Sequence, residues 1–571
     1  MTKLNHTPLA VFIALLAVVL LACGLAASTW RVFGNTWDEP EHLAAGLELL
    51  DQGKYTYDIQ HPPIARVLLA LGPWLAGARS ENTPPPNGEP EGQKILYAEG
   101  HYDLYLSLAR AGTLPFLALL VVVTFLWART VTTPWISVGA SLLVAVTPAV
   151  LGHGALATID IAAASTTLLA LWLARRWLGS GRITDAMALG VGTGVALGTK
   201  LSALPFAGIG GPLLLLLAGW ARRARRVKPV VSGRRWALGA ALVVFLVLVI
   251  LTLAYGGGFI YLTNAQHKFS QTLWYLFGFN GFWHDLAYQL FSWVKVPEAV
   301  KGFLGGVEAV SVHNQNGHLS YLLGDSRAQG WWYFYVVALT VKTPLPFLVL
   351  GCLGLARLAW CGIRRNEANL LTLPALWLAI LVFVSLFSHI NIGVRHVLLL
   401  YPLWAIGAAM LLADLWTWCR MVLVGRVRLM VGAGLLLLTL WPLVVVVREW
   451  PDYLAYFNVL APDPEQVLVD SDLDWGQDLQ RLSRRLQVLQ VPSLSFAYDG
   501  SALLDREGLP PFRLLGPDER ATGWIAVSAL ARVHAPDRFA WLNQYPRVEQ
   551  VGKTIDLYDV PLATPAPTPA P

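Results

Sequence analysis

A short run of ionisable residues follows the first apolar stretch of the chain and is the first candidate for chemistry. Asp38 and Glu39 stand side by side there, with Pro40, Glu41 and His42 directly after them. Two interpretations are open for Asp38. As an N-cap followed three residues later by Glu41, it would begin a helix along the membrane surface. As a partly desolvated carboxylate at the membrane rim, it would serve as a general base.

A second polar cluster follows soon after, at His61-Pro62-Pro63. Paired prolines suit the first turn of a helix, and the amide end of a helix favours anions. Arg66, one turn further on, would add a positive charge. The alternative is a plain turn followed by a surface helix, so the pattern leaves open whether His61 and Arg66 bind an anion or only build the fold.

Several charged residues interrupt apolar sequence further along the chain. Asp160 stands where a predicted span begins, either as a cap or as a costly acid that faces a polar cavity. Lys200 and Lys342 each break an apolar stretch, and snorkelling of the side chain to the membrane surface is the alternative to a functional role. Arg395 and His396 lie at the head of another span, where a single arginine favours an anionic partner.

Metal-site patterns are weak in this chain. His313 and His318 lack a firm third ligand. The acidic run 470–476 departs from an EF-hand loop because its glycine comes one position late and Arg481 stands where glutamate is needed. The cysteines lie within or beside apolar stretches, at Cys23, Cys352, Cys361 and Cys419. We therefore predict neither a metal site nor a disulfide framework, and dependence on a divalent cation stays open.

The composition is that of a polytopic membrane protein. The chain has 571 residues, of which 55% are hydrophobic and 14% charged, against about 25% charged in soluble domains. Its mean hydropathy is +0.52. Apolar runs near the roughly 20 residues of a bilayer crossing recur along the chain. They predict about eleven transmembrane helices, near residues 9–28, 104–127, 135–152, 159–177, 186–200, 203–220, 236–255, 332–359, 370–387, 397–416 and 428–447.

The basic residues predict the orientation of these spans. With the N-terminus in the cytoplasm, five arginine-bearing loops fall inside. The densest of them, at 222–235, is explained by the same positive-inside rule, so nucleic acid is not an expected partner. The segments 29–103, 256–330 and 449–571 then fall outside. This orientation places the C-terminus on the extracytoplasmic side.

The outside segments differ in character. Residues 80–93 are rich in proline and polar residues and predict a mobile loop, and residues 563–571 predict a disordered tail. Residues 449–562 have an ordinary soluble composition and predict a small α/β domain, with strands at 467–469, 493–498 and 524–528 and a helix at 477–489. The fold class is therefore an α-helical polytopic membrane domain, 1–448, followed by a small extracytoplasmic α/β domain.

Further motifs follow the two polar clusters in a fixed order. They are Gly317-His318-Leu319-Ser320-Tyr321-Leu322-Leu323-Gly324, Gly330-Trp331-Trp332-Tyr333-Phe334, Lys342-Thr343-Pro344, Asn391-Ile392-Gly393-Val394-Arg395-His396, Tyr456-Phe457-Asn458 and the run from Asp470 to Asp478. The ordered set resembles the multi-pass GT-C glycosyltransferases, closest to the bacterial relatives of protein O-mannosyltransferases and aminoarabinose transferases. Asp472 departs from the family pattern, where asparagine is more frequent.

The resemblance implies transfer of a sugar from a polyprenyl-phosphate carrier to an acceptor hydroxyl on protein, lipid or polysaccharide. The reaction would take place at the outer face of the bacterial inner membrane, with inversion and with Asp38 as the base. Glu39 and Asp160 would position groups or hold a cation. The substrate-binding set implied by the matching motifs is His61, Arg66, Lys200, His318, Lys342, Arg395 and His396.

Two other classes of function remain at this point. A transporter or flippase of lipid-linked substrates would suit the intramembrane lysine and aspartate, but inverted repeats are then expected and the sequence has none that can be recognised. A scaffold that presents the outer domain would not explain acids and bases gathered at one membrane face. The glycosyltransferase interpretation accounts for both observations.

Overall fold

The computed structural model describes residues 8–84, 88–98, 100–225, 233–261, 295–516 and 519–561. It confirms a mostly helical membrane protein with a small sheet domain at its C-terminal end. Among the described residues, eight helices are long and apolar enough to cross a membrane: Leu9–Ala27, Tyr102–Ala128, Ala203–Ala224, Gly233–Ala254, Leu345–Arg365, Ala368–Phe387, Leu400–Val422 and Gly425–Glu449.

The remaining predicted spans are shorter, broken or more polar. Pro134–Ala145 and Pro148–Gly154 form a pair bent by 64°, which would make a ninth span; proline lacks the backbone donor that would continue the first helix. Ile183–Leu197 has 15 residues. Asp160–Ser180 is long, but it carries charged residues and lies largely buried within the bundle. The prediction of eleven spans thus exceeds the eight or nine described helices that are long and apolar enough.

The membrane region is built from the following helices. In chain order they are α1 (Leu9–Ala27), α2 (Glu39–Gln52), α3 (Pro63–Leu75), α4 (Gly88–Leu96), α5 (Tyr102–Ala111), α6 (Leu114–Ala128), α7 (Pro134–Ala145), α8 (Pro148–Gly154), α9 (Asp160–Ser180), α10 (Ile183–Leu197), α11 (Ala203–Ala224), α12 (Gly233–Ala254), α13 (Glu298–Asn316), α14 (Phe334–Lys342), α15 (Leu345–Arg365), α16 (Ala368–Phe387), α17 (Leu400–Val422) and α18 (Gly425–Glu449). Two short antiparallel pairs lie between them, β1 (Phe259–Tyr261) with β2 (Lys295–Pro297) and β3 (Ser320–Leu322) with β4 (Asp325–Arg327).

In the segment 29–103, helix α2 packs against α3 and α4. A Cβ atom at Gly46 of α2 would lie 2.2 Å from the carbonyl oxygen of Arg66 in α3, so glycine is what permits this close approach. Most of α2 is buried by protein in this way. The mobile-loop prediction is wrong for residues 88–93, which begin α4, where the carboxylate of Glu91 is buried and accepts a hydrogen bond from Ser80.

The C-terminal domain is a five-stranded sheet with one helix on one face and smaller elements on the other. Its elements are α19 (Leu479–Val488), β5 (Leu494–Ala497), β6 (Phe512–Leu514), β7 (Gly523–Ser528), α20 (Ala529–His534), α21 (Pro536–Phe539), β8 (Arg547–Val551) and β9 (Ile555–Val560). The strand order is β6-β5-β7-β9-β8. Strand β5 is parallel to both β6 and β7, whereas β9 is antiparallel to its neighbours.

Most of this domain follows the prediction. The helix at 477–489 and the strands at 493–498 and 524–528 are confirmed within a residue or two at most ends. The prediction of a strand at 467–469 is wrong, because Leu468 and Val469 are buried in an irregular segment. That segment is held by the membrane region, since the backbone N–H of Leu323 donates to the carbonyl of Val467 at 3.0 Å.

The sheet domain is docked on the membrane region through the turn 470–475. The ammonium of Lys342 is buried and donates to the carbonyls of Leu454 and Asp472, at 2.7 and 2.5 Å. The backbone N–H of Val394 donates to the Asp472 carboxylate at 3.0 Å. These contacts fix the two regions against each other. The predicted disordered tail, 563–571, and most of the second outer loop, 262–294, lie outside the described residues.

Candidate active site

A cavity of about 840 Å³ lies between the membrane helices and the sheet domain. Its polar lining gathers residues that are far apart in the chain: Asp38, Glu41, His42, Asp58, Gln60, His61, Asp160, Lys200, His313, Asn314, His318, Tyr335, Arg395, His396, Asp470, Asp499 and His534. Seven of the ten predicted site residues are in this set: Asp38, His61, Asp160, Lys200, His318, Arg395 and His396. The other three, Glu39, Arg66 and Lys342, do not line it.

Asp38 stands at the N-cap position of α2 but does not cap it. Its side chain accepts no hydrogen bond from the first turn of the helix. Instead, Oδ2 accepts from Nη1 of Arg395 at 2.5 Å, and the side chain keeps 27% of its surface exposed. The carboxylate is thus aimed into the cavity, and the capping interpretation is not how this side chain is used.

Arg395 links Asp38 to a second ion pair. Nη1 of Arg395 lies 3.9 Å from the carboxylate of Asp160, which in turn accepts from Nζ of Lys200 at 2.6 Å. Asp160 is the first residue of α9, and Lys200 lies in the turn between α10 and α11. Acids and bases therefore alternate along one wall, and the Asp160 carboxylate holds both cations in place.

The sheet domain supports Arg395 from the other side. The guanidinium carbon of Arg395 lies 4.4 Å from the centroid of the Trp475 ring, a cation–π contact. Nε of Arg395 is buried and has no hydrogen-bond partner among the described residues. Ser471 also holds the loop that carries Arg395, because its hydroxyl donates to the carbonyl of Ile392. The N–H group at Nε of Arg395 is the donor that a ligand could use.

Three predicted histidines also line the cavity. Burial lowers the pKa of His61 to about 3, so the ring is neutral, and its Nδ1 has no partner among the described residues. His396 contacts the hydroxyl of Tyr335 at 3.2 Å through Nδ1. His318 lies 3.3 Å from His313, nitrogen to nitrogen. The described residues contain no group of three side chains suited to hold a metal ion.

Glu39 lies behind the cavity wall in a closed network. Its carboxylate is fully buried and accepts two hydrogen bonds from Arg110, both at 2.8 Å. The backbone N–H groups of Thr36 and Ala157 donate to it at 2.8 and 2.7 Å. Both oxygens are therefore occupied by protein donors. This geometry makes Glu39 the anchor that holds the start of α2 against α5 and the segment before α9.

Arg66 is likewise enclosed by protein. Its guanidinium donates to Nδ1 of His42 at 3.1 Å, to the hydroxyl of Tyr55 at 3.0 Å and to the carbonyl of Asp58 at 2.7 Å, and it pairs with the Asp58 carboxylate. Arg66 thus orients two cavity residues, His42 and Asp58, from behind. Lys342 binds the carbonyls that dock the sheet domain and does not face the cavity.

The sequence interpretation missed several functional positions. Arg110 carried a usable signal, because it is an arginine inside a predicted apolar span and such residues need a partner. Trp475 lies within the motif from Asp470 to Asp478, but nothing in that motif assigned a role to it. Asp499 and His534 carried no signal, since only the docking of the sheet domain brings them to the cavity. Glu41 also lines it, where burial and the nearby charge of Asp58 raise its pKa to about 7.

The membrane side of the cavity is apolar. Phe206 of α11 and Phe383 and Phe387 of α16 line it, together with Val307 and Val310 of α13. This part joins the charged wall directly, because Lys200 and Leu201 are neighbours in the chain and line the same cavity. The space is thus suited to a molecule with an apolar chain and an anionic head.

One protein family model matches part of this chain. Residues 51–262 match the family model described as dolichyl-phosphate-mannose-protein mannosyltransferase. The match includes His61, Asp160 and Lys200. A search of the curated proteins finds no significant match.

Three solved structures are among those similar to this chain. ArnT from Cupriavidus metallidurans, bound to undecaprenyl phosphate, is 13% identical over 96% of this chain and 98% of that chain, with a TM-score of 0.46. The oligosaccharyltransferase of Archaeoglobus fulgidus, in the apo form, is 15% identical over 79% of this chain and 59% of that chain, with a TM-score of 0.45. The Pmt1-Pmt2 protein O-mannosyltransferase complex of S. cerevisiae, bound to the sugar donor, is 14% identical over 44% of this chain and 33% of that chain, with a TM-score of 0.33.

The family match covers residues 51–262, which is less than half of the chain. This segment is thus similar to the dolichyl-phosphate-mannose-protein mannosyltransferase family.

Proposed function

We propose that this protein transfers a sugar from a polyprenyl-phosphate carrier to an acceptor hydroxyl, with Asp38 as the general base. The observation that carries the proposal is the pairing of a partly exposed Asp38 carboxylate with Arg395 inside a cavity that also has an apolar wall. A base and a phosphate-binding cation are thus within reach of one bound donor.

The chemistry follows from the charges that the reaction creates. The acceptor oxygen attacks the anomeric carbon, the bond from that carbon to the phosphate oxygen breaks, and the acceptor proton passes to Asp38. The donor is a phosphodiester and the leaving group a phosphomonoester, so one negative charge develops on the phosphate. Fixed cations aimed at that charge stabilise the transition state. Attack from the side opposite the phosphate inverts the anomeric centre.

Arg395 and Lys200 are the residues placed to stabilise the leaving phosphate. Arg395 keeps a buried Nε without a partner among the described residues, and Lys200 lies 2.6 Å from Asp160 at the edge of the apolar wall. The phenylalanines of α11 and α16 would contact the prenyl chain. His61, neutral at physiological pH and with a free Nδ1, would donate or accept one hydrogen bond at the head group.

Orientation completes the proposal. With the arginine-rich loops in the cytoplasm, the cavity and the sheet domain lie at the outer face of a bacterial inner membrane. The lipid donor then enters from the outer leaflet, and the acceptor enters from the side of the sheet domain. The acceptor is a hydroxyl of a protein, lipid or polysaccharide.

The test uses the purified protein in lipid nanodiscs with polyprenyl-phosphate mannose, glucose and aminoarabinose as separate donors. Release of polyprenyl phosphate is measured with wild type, Asp38→Asn and the control Glu81→Gln, an exposed acid of the same outer segment. We expect the loss of the base to slow release by about 10²- to 10⁴-fold, with the control unchanged. Equal turnover of wild type and Asp38→Asn would remove Asp38 as the base.

A second outcome addresses the class of function. A transporter moves its substrate intact, so it would release no polyprenyl phosphate from any donor. Wild-type protein that translocates a fluorescent polyprenyl-phosphate sugar without cleaving it would therefore replace the transferase proposal by the flippase alternative.

A further inference from the structure

The outward wall of the cavity is supplied by the sheet domain and is unlike the membrane side. Asp499 and His534 face the cavity there as an ion pair, with Oδ2 of the aspartate 2.9 Å from Nδ1 of the imidazole. Their side chains keep 27% and 32% of their surface exposed. The pair is therefore reachable from the cavity and from solvent, in contrast to the enclosed pairs behind the wall.

The fold explains why these two residues meet. Strands β5 and β7 are parallel neighbours, so their carboxyl ends lie at the same edge of the sheet. Asp499 follows the end of β5 by two residues, and α20, which ends at His534, begins directly after β7. In α/β sheets this edge is where ligands bind, because the loops that follow parallel strands gather there.

The same edge is fixed to the rest of the site. The Asp474 carboxylate accepts from the backbone N–H of Leu530 at 2.8 Å and of Gly476 at 3.1 Å, which ties α20 to the turn that carries Trp475. Trp475 contacts Arg395, and Arg395 contacts Asp38. The ion pair and the proposed base are thus held in one frame, and both line the same cavity.

The pair also has unused hydrogen-bonding capacity. The hydrogen bond with Asp499 raises the pKa of the His534 imidazole. Oδ1 of Asp499 and Nε2 of His534 make no hydrogen bond within the part of the chain that the structure describes. A carboxylate oxygen and an imidazole nitrogen side by side can both hydrogen-bond to a hydroxyl group, which donates and accepts.

We propose that Asp499 and His534 form the acceptor subsite, which binds a hydroxyl-rich acceptor in the cavity that Asp38 also lines. The inference rests on the proposed function and adds to it the element that selects the acceptor. The donor is bound by the membrane side of the cavity. The acceptor is bound by the carboxyl edge of the sheet, which presents its reacting hydroxyl to Asp38.

The experiment separates the two substrates. Polyprenyl-phosphate mannose, or whichever donor wild type consumes, is used with and without an acceptor panel made of a serine/threonine-rich peptide, a neutral oligosaccharide and lipid A. Without acceptor, water replaces the hydroxyl, and slow release of polyprenyl phosphate reports the donor side alone. With acceptor, the dependence of the rate on acceptor concentration reports the proposed subsite.

We expect Asp499→Asn and His534→Gln each to raise the KM for the acceptor by about 10- to 100-fold, the factor for losing a hydrogen bond to a charged group. Release without acceptor and the KM for the donor should stay unchanged. Asp537→Asn serves as the matched control, because Asp537 is an exposed acid of the same domain that does not line the cavity. Equal melting temperatures of all variants establish that the domain is folded.

Three results would overturn the inference. An unchanged acceptor KM in both variants would remove the subsite. A parallel fall of transfer and acceptor-free release would make the pair a support of the donor side instead. Failure of wild type to consume any donor would refute the proposed function itself, and is thereby distinguished from the first two. Should Asp499→Asn destabilise the domain, His534→Gln carries the same test, because His534 is at the surface.

Discussion

The neighbouring residues Asp38 and Glu39 belong to two hydrogen-bond networks that differ in whether all donors have protein partners. Glu39 is fully buried, and Arg110 and two backbone N–H groups occupy both of its oxygens. Asp38 is partly exposed, contacts Arg395 and faces a cavity. The first network is closed because every donor has its acceptor inside the protein. The second is open because it ends at Arg395 Nε, which has no partner among the described residues.

The comparison shows how a membrane protein can use charge for two purposes at one point of the chain. A closed network stabilises the fold, since breaking it would leave a charge buried without a partner. An open network leaves capacity for a substrate and contributes less to stability. Substitutions in the two networks should therefore separate stability from activity.

The largest effect is expected in the closed network. Glu39→Gln removes the charge that Arg110 faces at zero exposure, and loss of one partner of a buried pair costs about 3–5 kcal/mol. We expect a strongly lowered melting temperature in detergent and poor yield, with activity retained per folded molecule. Glu81→Gln, at an exposed pair, should melt as wild type. A fully stable but inactive Glu39→Gln protein would mean that the closed network also acts in catalysis.

The next effect is expected in the open network. Arg395→Gln removes a cation from the proposed phosphate site, and the loss of one such stabilising group typically costs about 10²- to 10³-fold in kcat. Asp160 keeps its contact with Lys200 at 2.6 Å, so the melting temperature should change little. Arg395→Lys should restore part of the rate. A melting temperature that falls as far as in Glu39→Gln would erase the distinction between the networks.

A smaller effect is expected where the sheet domain supports the open network. Trp475→Leu removes the ring 4.4 Å from the Arg395 guanidinium; a cation–π contact is worth about 0.5–2 kcal/mol. The rate of donor cleavage should fall by about 2- to 30-fold, a range that follows from that energy. Trp541→Leu, in the same domain but outside the cavity lining, is the control. Loss comparable to Arg395→Gln would show that Trp475 does more than support the guanidinium.

The last prediction concerns the pH dependence of stability. The pKa of Glu41 is raised from 4.5 to about 7 in the folded protein, so the folded state binds more protons than the unfolded chain between these values. Stability should therefore be lost as pH rises from about 4.5 to 7. Glu41→Gln should reduce this dependence, measured as the difference in melting temperature between pH 5 and pH 8. Identical pH dependence in wild type and Glu41→Gln would contradict the raised pKa.

Local sequence patterns predicted much of the fold. The bilayer-length apolar runs predicted most of the spans, and the paired prolines predicted the start of α3 at Pro63. The predicted strand at 467–469 was wrong because its three consecutive apolar residues are buried without pairing with a strand. The bend between α7 and α8 was missed, although Pro148 marks its position.

The candidate site was predictable only in part, for a physical reason. A charge that interrupts apolar sequence is visible in the sequence because its burial is costly, and this identified Asp160, Lys200 and Arg395. What each charge faces depends on docking between distant segments. Glu39 and Asp38 look equivalent in the sequence, and only the placement of Arg110 and Arg395 separates them.

The order of the chain adds a consequence for biogenesis. The loop that carries Arg395 precedes the last two spans, whereas the residues that hold it, from Ser471 to Trp475, follow them. During synthesis, Asp38 and its helix are made long before the loop of Arg395 receives its support. The cavity is therefore completed only after the final helix of the membrane region has been made and the sheet domain has folded. A nascent chain that still lacks residues 471–475 consequently has no finished cavity.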